Sequence, residues 1–371
     1  MSQPPRIALV QDWLTTFRGG EQVLLALHTL LPEAPIYTSI YNPEKVPQFS
    51  RATVHTSYLQ KIPTAKTRFQ VLIPLMPQAF ESFDLKSYDV VLSVGNGFSK
   101  GVITHPGQRH LWYCHTPARY LWKLGGDTRN EGRADSWLRS YAEHRLRIWD
   151  VVSSSRPDVI IANSQGTADR IAKIYRREAN VIYPPVDTSR FNLSSDTPED
   201  YFLTVGQLVA YKRVDLVISA CLAAGKRLKV VGEGPERQAL ERVAQGSPLI
   251  EFLGRVSSDE LGYLYAHTQA FIFAGEEDLG IVPIEAMSAG RPVIAFKRGG
   301  LTETVREGLS GIFFAEQTVE SLVEAVKEFK VGDFEPEKVR AHATTFSLDV
   351  FNQQIAKVLA SEGVEVSLPA N

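Results

Sequence analysis

Cysteine is scarce: the two in 371 residues, Cys114 and Cys221, lie far apart in apolar surroundings. They leave no disulfide framework and no zinc spacing, and they fit a reducing cytosol. No stretch approaches the roughly 18 apolar residues of a membrane span, so any membrane contact is expected to be peripheral. The opening MSQPPRIALVQDW carries too short an apolar run for a signal peptide. Excess charge is absent as well. Forty Lys and Arg face 42 Asp and Glu, a net charge of −2, which gives no reason to expect nucleic acid. Low-complexity segments and short-period repeats are missing. What remains, 44% hydrophobic and 22% charged, is an ordinary globular composition, and the length suggests two domains.

The stretch GEEDLGIVPIEAMSAG, residues 275–290, organises the chain. A short buried strand is expected at 270–274 before it. A helix is expected from near Pro283 to Gly290, with proline early and glycine late. Glu277 then lies on a strand-to-helix loop and Glu285 in the first helical turn. A helix start offers unpaired N–H groups and a positive dipole end for an anion such as a diphosphate. Two carboxylates beside it can accept hydrogen bonds from sugar hydroxyls. The competing reading is an acidic turn that merely complements the helix dipole.

Strand–loop–helix units recur in both halves. In the first, RIALV leads through a loop with Gly19 and Gly20 into a helix at 21–31. Strands are expected at 36–41, 54–56, 89–94, 110–114, 158–162 and 180–183. The last but two empties into His115 and Arg119. A lone histidine is more often structural, but this one stands past a strand end, where doubly wound sheets bind ligands. A helix over 136–152 carries Arg139, Arg145 and Arg147. Pro184-Pro185 closes this half. Domain boundaries are expected at 1–186, a linker at 187–199, a second domain at 200–346, and a C-terminal helix at 347–362 in a tail, 347–371, crossing back onto the first. In the second half strands are expected at 202–205, 227–231, 250–253, 270–274, 292–296 and 311–314. The fold class is therefore α/β, two doubly wound parallel sheets with helices on both faces, set across a cleft. The polar and glycine residues Gly206, Lys212, Arg213, Gly232, Arg255, Glu277 and Gly299 all fall at C-terminal strand ends of the second sheet.

VGQLVAYKRVDL, VVGEGPE, FLGRVSSDEL, EDLGIVPIEAMSAGRPVIA and GGLTETV follow one another from Phe202 onward, after GGEQVLLAL, WYCHTPARYLW and VIIANSQGTADRI. In this order and spacing the chain resembles the retaining nucleotide-sugar glycosyltransferases of family 4, with the GT-B fold. CHTPARYLW and YKRVDL are similar to bacterial polysaccharide-assembly members, many of them mannosyltransferases. The resemblance implies that Glu285 binds the ribose hydroxyls and Glu277 the donor sugar. The N–H groups of Leu279, Gly280 and Ile281 would reach sugar and phosphate. Lys212 and Arg213 would stabilise the departing diphosphate, and His115 would contact the donor sugar. Gly19 and Gly20 would face phosphate and acceptor, while Arg255 and Val256 bracket the base. Gly206 and Gln207 open the diphosphate loop and Gly232 borders it. Many members carry arginine where this chain has Gln207, which removes one cation.

Cleaving a sugar–phosphate bond builds negative charge on the diphosphate, which preorganised cations and helix N–H groups can hold. The resemblance implies retention by front-face attack, with no metal and no cofactor beyond the nucleotide-sugar, and no Asp-x-Asp motif is present. The implied donor is GDP-mannose and the implied acceptor a glycan, lipid-linked, in polysaccharide biosynthesis. A UDP-sugar enzyme of the same family, and an inactive sugar-nucleotide-binding or scaffold protein, are the alternatives. Residues 57–77 mix Lys61, Lys66 and Arg68 with apolar residues and suggest contact with an anionic inner leaflet, against a reading as a sheet-covering helix pair with a solvated basic face.

Overall fold

Runs such as IALV, VVLSV and LWYC are apolar on both alternating faces, the pattern of parallel strands covered by helices on each side. The structure, a computed structural model, describes residues 5–124, 137–193, 197–366 and 368. It divides into two units, Met1–Pro185 with Phe351–Asn371, and Val186–Val350. Ser136, the Arg139 side chain and residues 194–196 of the expected linker lie outside the described residues.

The first unit holds β1 (Ile7–Gln11), β2 (Ile36–Thr38), β3 (Val54–Thr56), β4 (Val90–Gly95), β5 (Arg109–Cys114), β6 (Val159–Ala162) and β7 (Asn180–Val181). They pair in parallel in the order β3-β2-β1-β4-β5-β6-β7. Because side chains alternate along a strand, β1 serves two cores. Ala8 and Val10 pack with Phe80 and Leu146 on one face. Leu9 packs on the other with Leu24 and Leu27 of the helix Gly19–Leu30. That second face is completed by Phe351, Ile355 and Leu359 of the C-terminal helix Leu348–Ser361, so this helix does return to the first sheet. An ion pair between Arg109 and Glu362 fixes its end.

The second unit holds β8 (Phe202–Val205), β9 (Leu228–Val231), β10 (Ile250–Gly254), β11 (Phe271–Phe273), β12 (Val293–Phe296) and β13 (Gly311–Phe314). Their order is β10-β9-β8-β11-β12-β13, again parallel. Phe202, Val230, Ile272 and Ile294 pack beneath Val217 and Cys221 of the helix Val214–Ala224 and Leu322 of the helix Val319–Glu328. Each sheet reverses strand order once, between β1 and β4 and between β8 and β11. Crevices at such reversals are where doubly wound sheets place ligands. β8 and β11 share a single registered pair, Leu203 with Phe271, whereas β8 and β9 share four, so the two strands part early.

Several elements differ from expectation. The strand expected at 36–41 ends at Thr38, where regular pairing with β1 lapses; beyond the Ser39 N–H bond to the Asp12 carbonyl it returns only as the single bridge Leu14–Tyr41. The one at 180–183 keeps two residues, as Pro184 and Pro185 bring no N–H donors. The helix Pro336–Ala343 was not signalled, since its sequence PEKVRAHA buries only Val339 and Ala343.

Candidate functional site

In the second unit the chain leaves β8 at Gly206 and makes a tight loop ending in the 3-10 turn Ala210–Lys212. Gly206 has φ of 147° and Gly232, after β9, has φ of 129°. A side chain at Gly232 would stand 1.9 Å from the Gly206 carbonyl oxygen, so only glycine lets the two loops touch. That contact folds the β8 loop back and carries Lys212 toward the end of β11. There its Nζ lies 3.2 Å from Glu277 Oε1 and 5.8 Å from the centre of the Phe273 ring. The ammonium and the carboxylate thus meet at the strand-order reversal, from loops 65 residues apart in sequence. Both remain partly exposed, at 11% and 20%, so they stay open to a ligand.

From Glu277 the chain passes through Leu279 and Gly280, with φ of 83°, into the helix Ile281–Ser288. The helix starts two residues before the expected Pro283, which places Glu285 in its second turn rather than its first. The early start follows from Gly280, whose left-handed conformation lets the chain enter the helix there. The N–H groups of Ile281 and Val282 have no partner within the helix. The Glu277 carbonyl accepts the Gly300 N–H at 2.7 Å, tying this loop to the one after β12.

Glu285 is held from two sides. The Tyr265 hydroxyl donates to its Oε2 at 3.2 Å, and Arg190 Nη1 stands 3.9 Å from Oε1. Arg190 is itself fixed by Ser258 Oγ at 3.1 and 3.2 Å. Burial raises the Glu285 carboxyl above the ordinary range, while Arg190 and the tyrosine oppose that rise. Sequence reasoning missed Tyr265 and Arg190. The first lies in an apolar helical stretch, and the second follows the double proline, so neither carries a local signal.

Arg213 adopts φ of 52° and directs its guanidinium to Asp215, at 3.1 Å, and to Gln317 Oε1, at 3.2 Å. Gln317 in turn donates to the Ala274 carbonyl at 2.8 Å, next to the end of β11. Arg213 therefore spans Asp215 and Gln317, while Lys212 alone of the pair reaches Glu277. Gln207 is exposed, directly after Gly206. Arg255 is exposed and Val256 half-buried, after β10.

In the first unit Gly19 and Gly20 are the first two residues of the helix Gly19–Leu30 rather than loop residues. Glu21 Oε2 accepts the Arg18 N–H at 2.8 Å, which caps that start. A side chain at Gly20 would meet His115 Nε2 at 3.1 Å, so the imidazole lies against the bare backbone of the helix start. His115 follows β5, its N–H donates to the Gly95 carbonyl at 3.3 Å, and its ring meets Tyr113 edge-on. At the β1/β4 reversal Asp12, which sequence reasoning did not single out, accepts the Asn96 N–H at 2.7 Å and the Ser99 N–H at 2.6 Å. Its burial raises the carboxyl's pKa against those bonds. Next to it Lys100 is fully buried, 2.6 Å from Asp150, which also accepts from Trp122 Nε1 and the Tyr175 hydroxyl.

This arrangement can hold an anion against a cation and a helix start, with two carboxylates placed for hydroxyl groups. The description "Glycosyl transferases group 1" fits residues 185–345, and "Glycosyltransferase Family 4" fits residues 17–190. Among similar proteins, a sulfoquinovosyl transferase of Arabidopsis thaliana is 34% identical over 140 residues, 36% of this chain and 27% of that protein. A GDP-mannose-dependent phosphatidylinositol monomannoside mannosyltransferase of Mycobacterium tuberculosis is 30% identical over 203 residues, 47% of this chain and 53% of that one. The chain thus spans only about a quarter to a half of these curated relatives' length. Sucrose-phosphate synthase from Thermosynechococcus elongatus superposes with a TM-score of 0.72 at 15% identity, covering 97% of this chain and 99% of that one. Anabaena HepE, solved with UDP, gives 0.68 at 17% identity, covering 96% and 100%. A parallel sheet in each unit, with the C-terminal helix packed on the first, matches the GT-B fold, and the chain belongs to the family 4 glycosyltransferases.

Proposed function

We propose that the protein transfers a hexose from a nucleotide-sugar to a glycan acceptor with retention of configuration, and that the donor is GDP-mannose. The observation that carries this reading is the meeting of Lys212 and Glu277 at the β8/β11 reversal, 3.2 Å apart, beside the start of the helix that bears Glu285. In this reading Glu285, oriented by Tyr265, accepts from the ribose hydroxyls, and Glu277 accepts from the sugar. Lys212 and the N–H groups of Leu279, Gly280 and Ile281 hold the diphosphate as its charge grows. Arg213, its fork taken by Asp215 and Gln317, acts by charge and by bracing the loop. The leaving phosphate takes the acceptor's proton on the attacked face. His115 contacts the donor sugar, with Gly19 and Gly20 leaving backbone N–H groups open beside it. Arg255 and Val256 flank the base. The acceptor is a lipid-linked glycan in polysaccharide assembly, met at the inner face of the membrane.

Similarity to the mycobacterial GDP-mannose-dependent enzyme supports mannose. The likeness to HepE, solved with UDP, is what favours a UDP-sugar as the second reading, and Gln207 in place of a cation favours an inactive binding protein as the third. Calorimetric titration with GDP, UDP and ADP, without divalent metal, separates them. Micromolar binding of GDP alone is expected. Binding of UDP alone keeps the class of reaction and overturns mannose, and binding of none overturns the enzyme.

A further inference from the structure

We propose that the outer surface of residues 57–80 docks the protein on an anionic phospholipid surface. This segment folds as four short helical pieces, Tyr58–Lys61, Ala65–Arg68, Phe69–Leu75 and Met76–Glu81. Its inward side is spoken for: Leu59, Ala65, Leu72, Met76 and Phe80 are buried in the core over β1 and β4. Its outward side is apolar as well. Val71 is 68% exposed, Leu75 44% and Tyr58 41%. A sheet-covering layer needs apolar residues on one side only, so the second side calls for a partner of its own.

Charge says which partner. From Ser57 to Phe80 there is no Asp or Glu, while Lys61, Lys66 and Arg68 are present and exposed. Among the described residues none of the three forms an ion pair. A second copy of the chain on this surface would bring two such cationic sets together, a repulsive contact. An anionic bilayer accepts both components, the cations at its headgroups and Val71 and Leu75 below them, with Tyr58 at the boundary where tyrosines favour the interface. The neighbouring helix Trp137–Ser153, whose Leu146 enters the same core, adds a second observation. It turns Trp137, Tyr141, Ile148 and Val152 outward, at 75, 58, 47 and 57% exposure. Nine of the thirteen exposed large hydrophobic side chains among the described residues lie between 58 and 152. Among those same residues no helix is long and apolar enough to cross a membrane, so the contact is a surface one. It deepens the lipid-linked-acceptor reading by naming the surface at which such an acceptor is met.

The test is sedimentation of the full chain with vesicles of phosphatidylcholine alone and of phosphatidylcholine mixed with phosphatidylglycerol, without any nucleotide. The expected result is recovery with the anionic vesicles only, falling as salt is raised. At about fivefold per cation, Lys61→Gln/Lys66→Gln/Arg68→Gln together should weaken binding about a hundredfold. Val71→Asp/Leu75→Asp should abolish it. GDP titration of each variant should match the parent, which separates this surface from the nucleotide site and from misfolding. Equal recovery on both vesicles, or unchanged binding by the triple variant, overturns the proposal. So does a dimer in gel filtration that Leu75→Asp dissolves while vesicle binding is absent, since the occupant is then a second copy.

Discussion

Replacing Lys212 by methionine removes the ammonium but keeps a stem of similar length over Phe273, so the loop's packing should survive. The variant tests charge alone. A hydrogen bond from a charged donor is worth about 1.5–3 kcal/mol, or roughly 10- to 150-fold in affinity for a nucleoside diphosphate. The structure adds a second penalty. Glu277 Oε1, 3.2 Å from the lost ammonium, then faces the diphosphate as an uncompensated carboxylate. Lys212→Met should therefore weaken nucleotide binding by more than the lost bond, and Lys212→Met/Glu277→Gln should recover about 1 kcal/mol of it, a coupling typical of residues in contact. Turnover should fall by about 10²–10³, because the negative charge on the diphosphate grows between the bound donor and the transition state. Calorimetry gives the first pair of numbers and single-turnover kinetics the last. A change in nucleotide affinity below about threefold in Lys212→Met, with no difference between single and double variants, would refute the placement of Lys212 on the diphosphate.

Gly232→Ala puts a methyl 1.9 Å from a backbone oxygen at φ of 129°, so it should cost about 3 kcal/mol of stability and displace Lys212; urea unfolding and GDP titration read the two effects. Lys100→Met strands Asp150, which is 1% exposed, and should destabilise the first unit by about 3–5 kcal/mol in urea melts, while leaving GDP affinity unchanged. His110 is fully buried, shares a hydrogen bond with Ser93 Oγ at 2.8 Å, and is lowered by burial to about 4. Its folded pKa lies below the unfolded value near 6.5, so its contribution is complete above about pH 6.5 and is lost as pH falls toward 4, by about 3 kcal/mol in all. Asp12, Glu21 and Glu285, raised by burial, run in the opposite sense. The measurement is therefore the difference between parent and His110→Gln, and the parent should lose about 3 kcal/mol relative to the variant as pH falls from about 6.5 to 4.

The repeated apolar runs determined the two parallel sheets by themselves. A strand buried on both faces reads as continuous hydrophobic sequence, and β8 falls where that pattern puts it, whereas β3, with the sequence VHT, is a half-exposed edge strand. The turn chemistry around residues 275–290 likewise marked a strand-to-helix loop, because glycine and proline constrain the backbone locally. Such local signals reach a few residues only. The sequence placed Lys212 and Arg213 side by side as equals, yet the fold sends one guanidinium to Asp215 and Gln317 and the neighbouring ammonium to Glu277. It named Glu285 without Tyr265, Gly20 without its contact to His115, and passed over Asp12. Apart from Arg213 with its near neighbour Asp215, each of these pairings joins segments that follow different strands, and strand order, which brings β8 beside β11 and β1 beside β4, is decided only when the sheets assemble. Residues 57–80 divide in the same way. Their missing acids and three cations are written in the chain, but which apolar side chains face the core and which face outward follows from packing against the sheet.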